Sequence, residues 1–387
     1  MRLNKTVANL KPSGIREFFD IVSTMPEALS LGVGEPDFVT PWPIRNAAIK
    51  SIQKGYTAYT SNKGLLELRM EISRYLEDRF AIKYSANDEI IVTNGASEAI
   101  DLALRALVEP GDGVLVPSPS YVSYSPVIQI CGGHSIPVRC SAETMFKLTP
   151  EALEEAAKKG GKTLIISYPN NPTGAIMTRP ELEALVPIIK KYDLMLVSDE
   201  IYAELTYPSK HVSVASINDL KDRTILVGGF SKAFAMTGWR LGFACAPKDA
   251  LDAMFKTHQY AALCAPTVSQ YAGLAALRDG REDDYSAVSE MKEEYDQRRR
   301  YLVSELRKLG FKIYEPQGAF YIFADVSCSG MNGNEFAHKL LKAEKVAVVP
   351  GNAFGEECDN FVRISYATSL KVLTQAMDRI AHFLSSN

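Results

Sequence analysis

Between Trp42 and about Arg278 the chain alternates stretches of helical apolar spacing with short uninterrupted apolar runs. A short apolar run bounded by turn formers reads as a strand buried on both faces. Helices between such strands make crossover units, so this part is expected to be α/β, with a mostly parallel sheet covered on both sides. One unit is plainly written: Ser97 to Val108 places Ala99, Ile100, Ala103, Leu104 and Leu107 on one stripe, Pro110-Gly111-Asp112-Gly113 stops that helix, and Val114 to Val116 opens a strand. Thr163 to Ser167, Leu194 to Ser198 and Thr224 to Gly228 repeat the strand pattern, each ending at a polar or glycine-rich segment. Glu181 to Lys191 has helical spacing at Leu182, Leu185, Val186 and Ile189, but the Pro187 inside it predicts a kink or an early end.

Past Asp279 the pattern changes to a long charged stretch reaching Leu309, expected to be an exposed helix joining two domains. The tail predicts a strand at Gly318 to Phe323, a helix near Asn334 to Glu344, strands at Val346 to Val349 and Phe361 to Tyr366, and a last helix with Leu370, Leu373, Met377, Ile380 and Leu384 on one face. The expected organisation is an N-terminal arm and small-domain segment (1–41), a large domain (42–279), and a small α+β domain that includes the linking helix (280–387). A length of 387 residues agrees with two domains.

Composition narrows the function classes. With 46% hydrophobic and 23% charged residues the chain is ordinary globular material, and a net charge of -3 without a basic stripe argues against nucleic acid. Met1 to Leu10 lacks the apolar core of a secretory signal and no run is long enough to span a bilayer, so a cytoplasmic protein is expected. The six cysteines show no CxxC pair and the five histidines no ligand spacing, which favours reduced thiols and no metal site.

In open α/β sheets ligands sit beyond the carboxyl ends of the strands, so the segments following the apolar runs carry the chemistry. Thr93-Asn94-Gly95-Ala96-Ser97 follows Ile90-Ile91-Val92 and opens a helix; its free N-H groups suit a phosphate, and the same pattern fits plain capping by Ser97 or Asn94. Tyr168 to Gly174 is dense in turn formers, with Asn171 as its notable member or as part of a plain loop. Ser198-Asp199-Glu200-Ile201-Tyr202 sets two carboxylates after a buried run, where a charge needs a cationic partner such as a protonated ring nitrogen; Asp199 also suits a helix cap. Finally, Lys232 is hemmed in by Phe230, Phe234, Met236 and Trp239, and a desolvated amine has the lowered pKa that Schiff-base chemistry requires. Arg240 beside it offers a fork for phosphate.

These segments, in this order, resemble fold-type I pyridoxal-phosphate (PLP) enzymes of the class I aminotransferases, from Ser30-Leu31-Gly32-Val33-Gly34-Glu35-Pro36-Asp37-Phe38 through NNPTG, SDEIY and SKAFAMTGWRLG to Phe361-Val362-Arg363-Ile364-Ser365-Tyr366. The resemblance implies Lys232 as the Schiff-base lysine, Asp199 as partner of the ring nitrogen, and Asn171 with Tyr202 on the phenolic oxygen. It implies Tyr121 stacked on the ring, a phosphate turn of Gly95, Ala96 and Ser97 with Arg240 as clamp, and Arg363 with Gly34 on the substrate α-carboxylate. Tyr59 resembles the tyrosine that reaches the phosphate of a neighbouring subunit, which implies a homodimer with shared sites. Some relatives carry a phosphate-binding serine where this chain has Gly229, and Ser231 is the candidate replacement.

The reaction implied is ping-pong transamination between amino acids and 2-oxo acids, with Lys232 as anchor and base. The starts and ends of the match, SGIREFF, GAFYIF and VRISYAT, resemble the branch holding aromatic and aspartate aminotransferases and the enzyme acting on acetylated diaminopimelate. Aromatic substrates with 2-oxoglutarate are the first expectation; the alternatives are those two relatives, a β-lyase on the same cofactor, and a catalytically inert PLP-binding sensor.

Overall fold

The structure is a computed structural model that describes residues 2–10, 15, 22 and 25–386, so all of SGIREFF except Ile15 lies outside the described residues. In chain order the first elements are α1 (Lys5–Ala8), β1 (Leu29–Ser30), α2 (Trp42–Gln53), α3 (Leu66–Phe80), β2 (Ile90–Thr93), α4 (Gly95–Leu107), β3 (Gly113–Ser118), α5 (Tyr124–Ile130) and β4 (His134–Arg139). Then come α6 (Pro150–Ala157), β5 (Gly161–Ser167), α7 (Arg179–Lys191), β6 (Met195–Asp199), β7 (Thr224–Gly229), β8 (Gly242–Cys245), α8 (Lys248–Ala261), α9 (Thr267–Glu282) and α10 (Ser286–Lys308). The last are β9 (Lys312–Ile313), β10 (Tyr321–Asp325), α11 (Gly333–Glu344), β11 (Val346–Ala347), β12 (Val349–Pro350), β13 (Phe361–Ser365) and α12 (Leu370–Ser385).

Seven strands form one sheet in the order β2-β8-β7-β6-β5-β3-β4, parallel from β7 to β4, with β8 running against both its neighbours. The fold class is thus α/β with a mixed, mostly parallel sheet. Leu164, Ile165, Leu196, Val197, Ile225 and Val227 are sealed between two hydrophobic layers, which is why these strands are unbroken apolar runs. A four-stranded antiparallel sheet, β12-β13-β10-β9, and the parallel pair of β1 with β11 hold the other core.

Three expectations are corrected. Helix α7 runs through Pro187 without ending, because a capping box at Thr178 and Glu181 starts it, Leu182, Leu185 and Ile189 bury its stripe, and Glu183, whose carbonyl the proline cannot bond, faces water with Pro187. The long charged helix α10 is not simply exposed. Val288, Met291, Tyr295, Leu302 and Leu306 bury one face, and Arg298 is buried with them because Asp37 takes its Nη1 at 2.9 Å to both oxygens. In α12 Leu370 is exposed at the first turn, while Ala376 and Phe383 join Leu373, Met377 and Ile380 inside. Residues 279 and 280 lie within α9, whose Ala272, Ala276 and Leu277 pack on the core beside β2 and β8. Among the described residues no helix is long and apolar enough to cross a membrane.

Candidate active site

The carboxyl ends of β2, β3, β5, β6 and β7 open into one cavity of about 830 Å³, and β10 and β13 of the smaller sheet close its other side. Strand alternation sorts the two carboxylates after β6 to different fates. Glu200 is satisfied away from the cavity by the hydroxyls of Ser198 and Ser213, each at 2.8 Å, by His211 Nε2 at 2.8 Å and by the Val214 N-H at 3.2 Å. Asp199 lines the cavity and accepts the Tyr124 hydroxyl at 2.7 Å and the Ile201 N-H at 3.2 Å, its only hydrogen bonds among the described residues. Burial holds its carboxyl above the usual carboxylate range. The bond to Ile201 is a local turn bond, and no regular helix follows, so the helix-cap reading of Asp199 does not apply.

Opposite stands Lys232, whose Nζ donates to the Gly34 carbonyl at 2.6 Å. Burial pulls this amine down to about 8, against the attraction of Glu35 and with the help of Arg363 and Arg240. The rings of Tyr202 and Phe320 flank it at 5.8 and 5.7 Å. Tyr202 meets the Tyr321 hydroxyl at 2.8 Å, and burial together with that phenol keeps its proton on, so it stays a donor at neutral pH.

At the entrance to α4, Asn94 makes no side-chain cap; its own N-H bonds Glu98 at 2.5 Å. The Asn94 side chain therefore does not cap this helix, and its first-turn N-H groups suit an anion. Gly95 sits at φ +79°, and a Cβ there would stand 2.6 Å from Arg240 Nη2, so glycine is what lets the guanidinium lie over the helix entrance. Gly242 on β8 passes equally close to the backbone of Gly95 and Ala96, at 2.5 Å for an added Cβ. Arg240 is anchored by Nη1 to the Thr237 carbonyl at 3.1 Å and leaves its other donors facing the cavity. Ser97 and Ser231 also line this end. A Cβ added at Gly229 would stand 3.0 Å from Ile201 and 3.3 Å from Gly242 and Leu241, so no hydroxyl side chain is accommodated there without movement.

Arg363, on β13, is turned away from the core residues Val362 and Ile364. Its Nη1 bonds Asn171 Oδ1 at 2.9 Å and its Nη2 the Gly32 carbonyl at 2.6 Å, and the ring of Tyr321 lies 4.4 Å below it. Its Nε is buried and has no hydrogen-bond partner among the described residues. In the turn after β5 the plain-loop work falls to Asn170, which accepts from the N-H and hydroxyl of Thr173; Asn171 is left to the cavity.

Of the residues singled out from sequence, Lys232, Asp199, Tyr202, Asn171, Tyr121, Ala96, Ser97, Ser231, Gly34, Arg240 and Arg363 all line this cavity, and Gly95 touches it through Arg240. Tyr59 does not; it is 81% exposed on the outer surface. Sequence reasoning passed over Tyr124, Tyr321 and Glu35. Tyr124 stands three residues after Tyr121 and Tyr321 lies within the GAFYIF segment, so the only available signal was their place beside residues already chosen. Glu35 accepts from the Thr237 hydroxyl, a contact across 202 positions that no local pattern announces.

Comparison with known proteins agrees with this geometry. The model of the family described as aminotransferase class I and II matches residues 26–380. The chain is 48% identical over 382 residues to a putative aminotransferase, YugH, of Bacillus subtilis (strain 168), covering 99% of this chain and 98% of that one. It is 42% identical over 385 residues to an aspartate aminotransferase of Pyrococcus abyssi, again covering 99% and 98%. Among solved structures, that of an aromatic aminotransferase from Pyrococcus horikoshii OT3 superposes with a TM-score of 0.91 at 40% identity, over 96% of this chain and 99% of that one.

Proposed function

This chain belongs to the class I and II aminotransferases, which use pyridoxal phosphate, and from that premise we propose that it moves the amino group of an aromatic L-amino acid to 2-oxoglutarate in two half-reactions. The cofactor suits the donor set. A phosphate matches the open N-H groups of α4 under Arg240, and a protonated ring nitrogen supplies the cation that buried Asp199 otherwise lacks. When bound, it supplies an aldehyde for the amine and a ring that takes up the electron pair left at Cα.

The rest is work for the chain's own residues. Lys232 Nζ, neutral to a useful degree, would hold the cofactor through its aldehyde and, when free, would be the base that takes the proton from the substrate Cα. Arg363 holds the substrate carboxylate, and because Asn171 Oδ1 already binds its Nη1, the Asn171 amide N-H groups are free for the phenolic oxygen beside the Tyr202 donor. Asp199, braced by Tyr124, would meet the protonated ring nitrogen as the cation that restores its charge against burial.

The observation that carries the aromatic preference is the apolar part of the cavity wall, where Ile15, Val122 and Tyr321 offer flat and aliphatic surface to a ring. The same wall offers a carboxylate side chain little, so 2-oxoglutarate should need a higher concentration for half-saturation than the aromatic donor. Mixing the PLP-loaded protein with single L-amino acids and following loss of the visible absorbance tests the preference: phenylalanine, tyrosine and tryptophan should react fastest, and inertness of all three overturns it. Pyruvate released from cystathionine would instead favour the β-lyase.

The working unit in this reading is a homodimer in which Tyr59 reaches the phosphate end of the neighbouring subunit's cavity. Its support is the 81% exposure of Tyr59, with the large apolar side chains of Trp42, Ile49, Ile52, Met70 and Tyr260 also exposed.

A further inference from the structure

Tyr59 is exposed, yet the chain on either side of it is firmly held. Ala58, just before it, gives its carbonyl to the Thr267 hydroxyl at 2.8 Å. Thr60, just after it, accepts at Oγ1 from Gln270 Nε2 at 2.9 Å. The Gln270 side chain is fully buried, with 0% exposure, and every part of its amide is in use: Nε2 also donates to the Ala265 carbonyl at 2.8 Å, and Oε1 accepts from the Leu65 N-H at 2.8 Å. Tyr56 stacks on Tyr271 of the same helix, with ring centroids 5.1 Å apart. Gly64, at φ +93°, brings the returning chain so close to Gln270 that an added Cβ would stand 3.2 Å from Oε1 and 2.5 Å from Val92.

The first turn of α9 is thus a rack for the loop from Tyr56 to Leu65. A buried amide is tolerated only when its groups are paired, so the loop and Gln270 hold each other in one arrangement. The only large side chain between the two pinned residues is Tyr59, and it points outward. A side chain fixed before it meets its target loses less conformational freedom on contact, and so binds more tightly, than one on a mobile loop.

We propose that Gln270 is a positioning residue for the neighbouring subunit's cofactor site: it never touches the cofactor, but fixes the loop so that the Tyr59 hydroxyl arrives at the phosphate. The proposal rests on the shared-site dimer argued above, and a double-variant cycle separates the two. The dissociation constant for PLP is measured on the full-length protein, with the oligomeric state followed by sedimentation, for Tyr59→Phe, Gln270→Glu and both together. Gln270→Glu removes the donor to Thr60 and Ala265 at nearly constant volume; Thr60→Val, which deletes one link at the loop itself, replaces it if the buried substitution prevents folding.

Loss of one hydrogen bond to a charged phosphate should weaken PLP binding about tenfold in Tyr59→Phe. Gln270→Glu or Thr60→Val should weaken it three- to tenfold, and neither should weaken it further once Tyr59 is phenylalanine, since residues acting through one contact are not additive. Unchanged PLP affinity in Tyr59→Phe overturns the shared-site reading and this proposal with it. A weakened Tyr59→Phe combined with wild-type affinity in the loop variants, or with effects that multiply in the double variant, leaves the shared site standing and overturns the role of Gln270.

Discussion

A lysine amine that titrates near 8 is half neutral at a pH where an ordinary lysine is almost wholly charged, and only the neutral amine attacks an aldehyde. Neutral amine accumulates as pH rises through the folded pKa, so the rate at which cofactor-free protein captures PLP should climb through pH 8 and then level off. A rate still climbing beyond about 10, the ordinary lysine range, would show that Lys232 is not desolvated. Tyr124 gives a second test on single atoms: Tyr124→Phe removes the side-chain hydroxyl that donates to Asp199 and should lower kcat/KM about tenfold, the loss of roughly 1.4 kcal/mol from a hydrogen bond to a charged group. At this scale much was legible. Lys232, Asp199 and Arg363 each follow an apolar run or alternate with core residues, and such spacing places a side chain at a strand end or on one face. Tyr124 and Glu35 were not legible, because their importance lies in contacts with residues 75 and 202 positions away.

Among the elements, the closest fit in the site is where β8 passes the entrance of α4. Gly242→Ala should cost about 1 to 3 kcal/mol of stability in denaturant unfolding, because the new methyl meets backbone that has no free rotamer to yield; an unchanged midpoint would mean that the strand moves away easily. Pro187→Ala on the wet face of α7 should raise stability by about 1 to 3 kcal/mol by restoring a helical hydrogen bond, measured in the same way. Both cases show what local pattern conveys. The strands of the sheet were readable because burial on both faces demands continuous apolar runs, whereas the early end expected at Pro187 does not occur because the capping box and buried stripe carry α7 past it. Helix α10 misled for the opposite reason, since its charged residues hide a buried line from Val288 to Leu306 and one of those charges, Arg298, is buried in an ion pair.

Taken whole, the molecule sets an amine and a carboxylate from the large sheet against an arginine from the small one, and both sheets must be in place for the cavity to exist. Tyr59 lies apart from this cavity, 81% exposed, with Ala58 and Thr60 on either side of it hydrogen-bonded to Thr267 and Gln270. The central claim is that this cavity performs transamination through Lys232. The most direct measurement mixes the PLP-loaded protein with an excess of one reactive amino acid and no second substrate. The account predicts one equivalent of 2-oxo acid per Lys232 site, loss of the visible absorbance, and its return on adding 2-oxoglutarate, with none of these in Lys232→Ala. Continuous product without a second substrate, or an equal burst from Lys232→Ala, would contradict it.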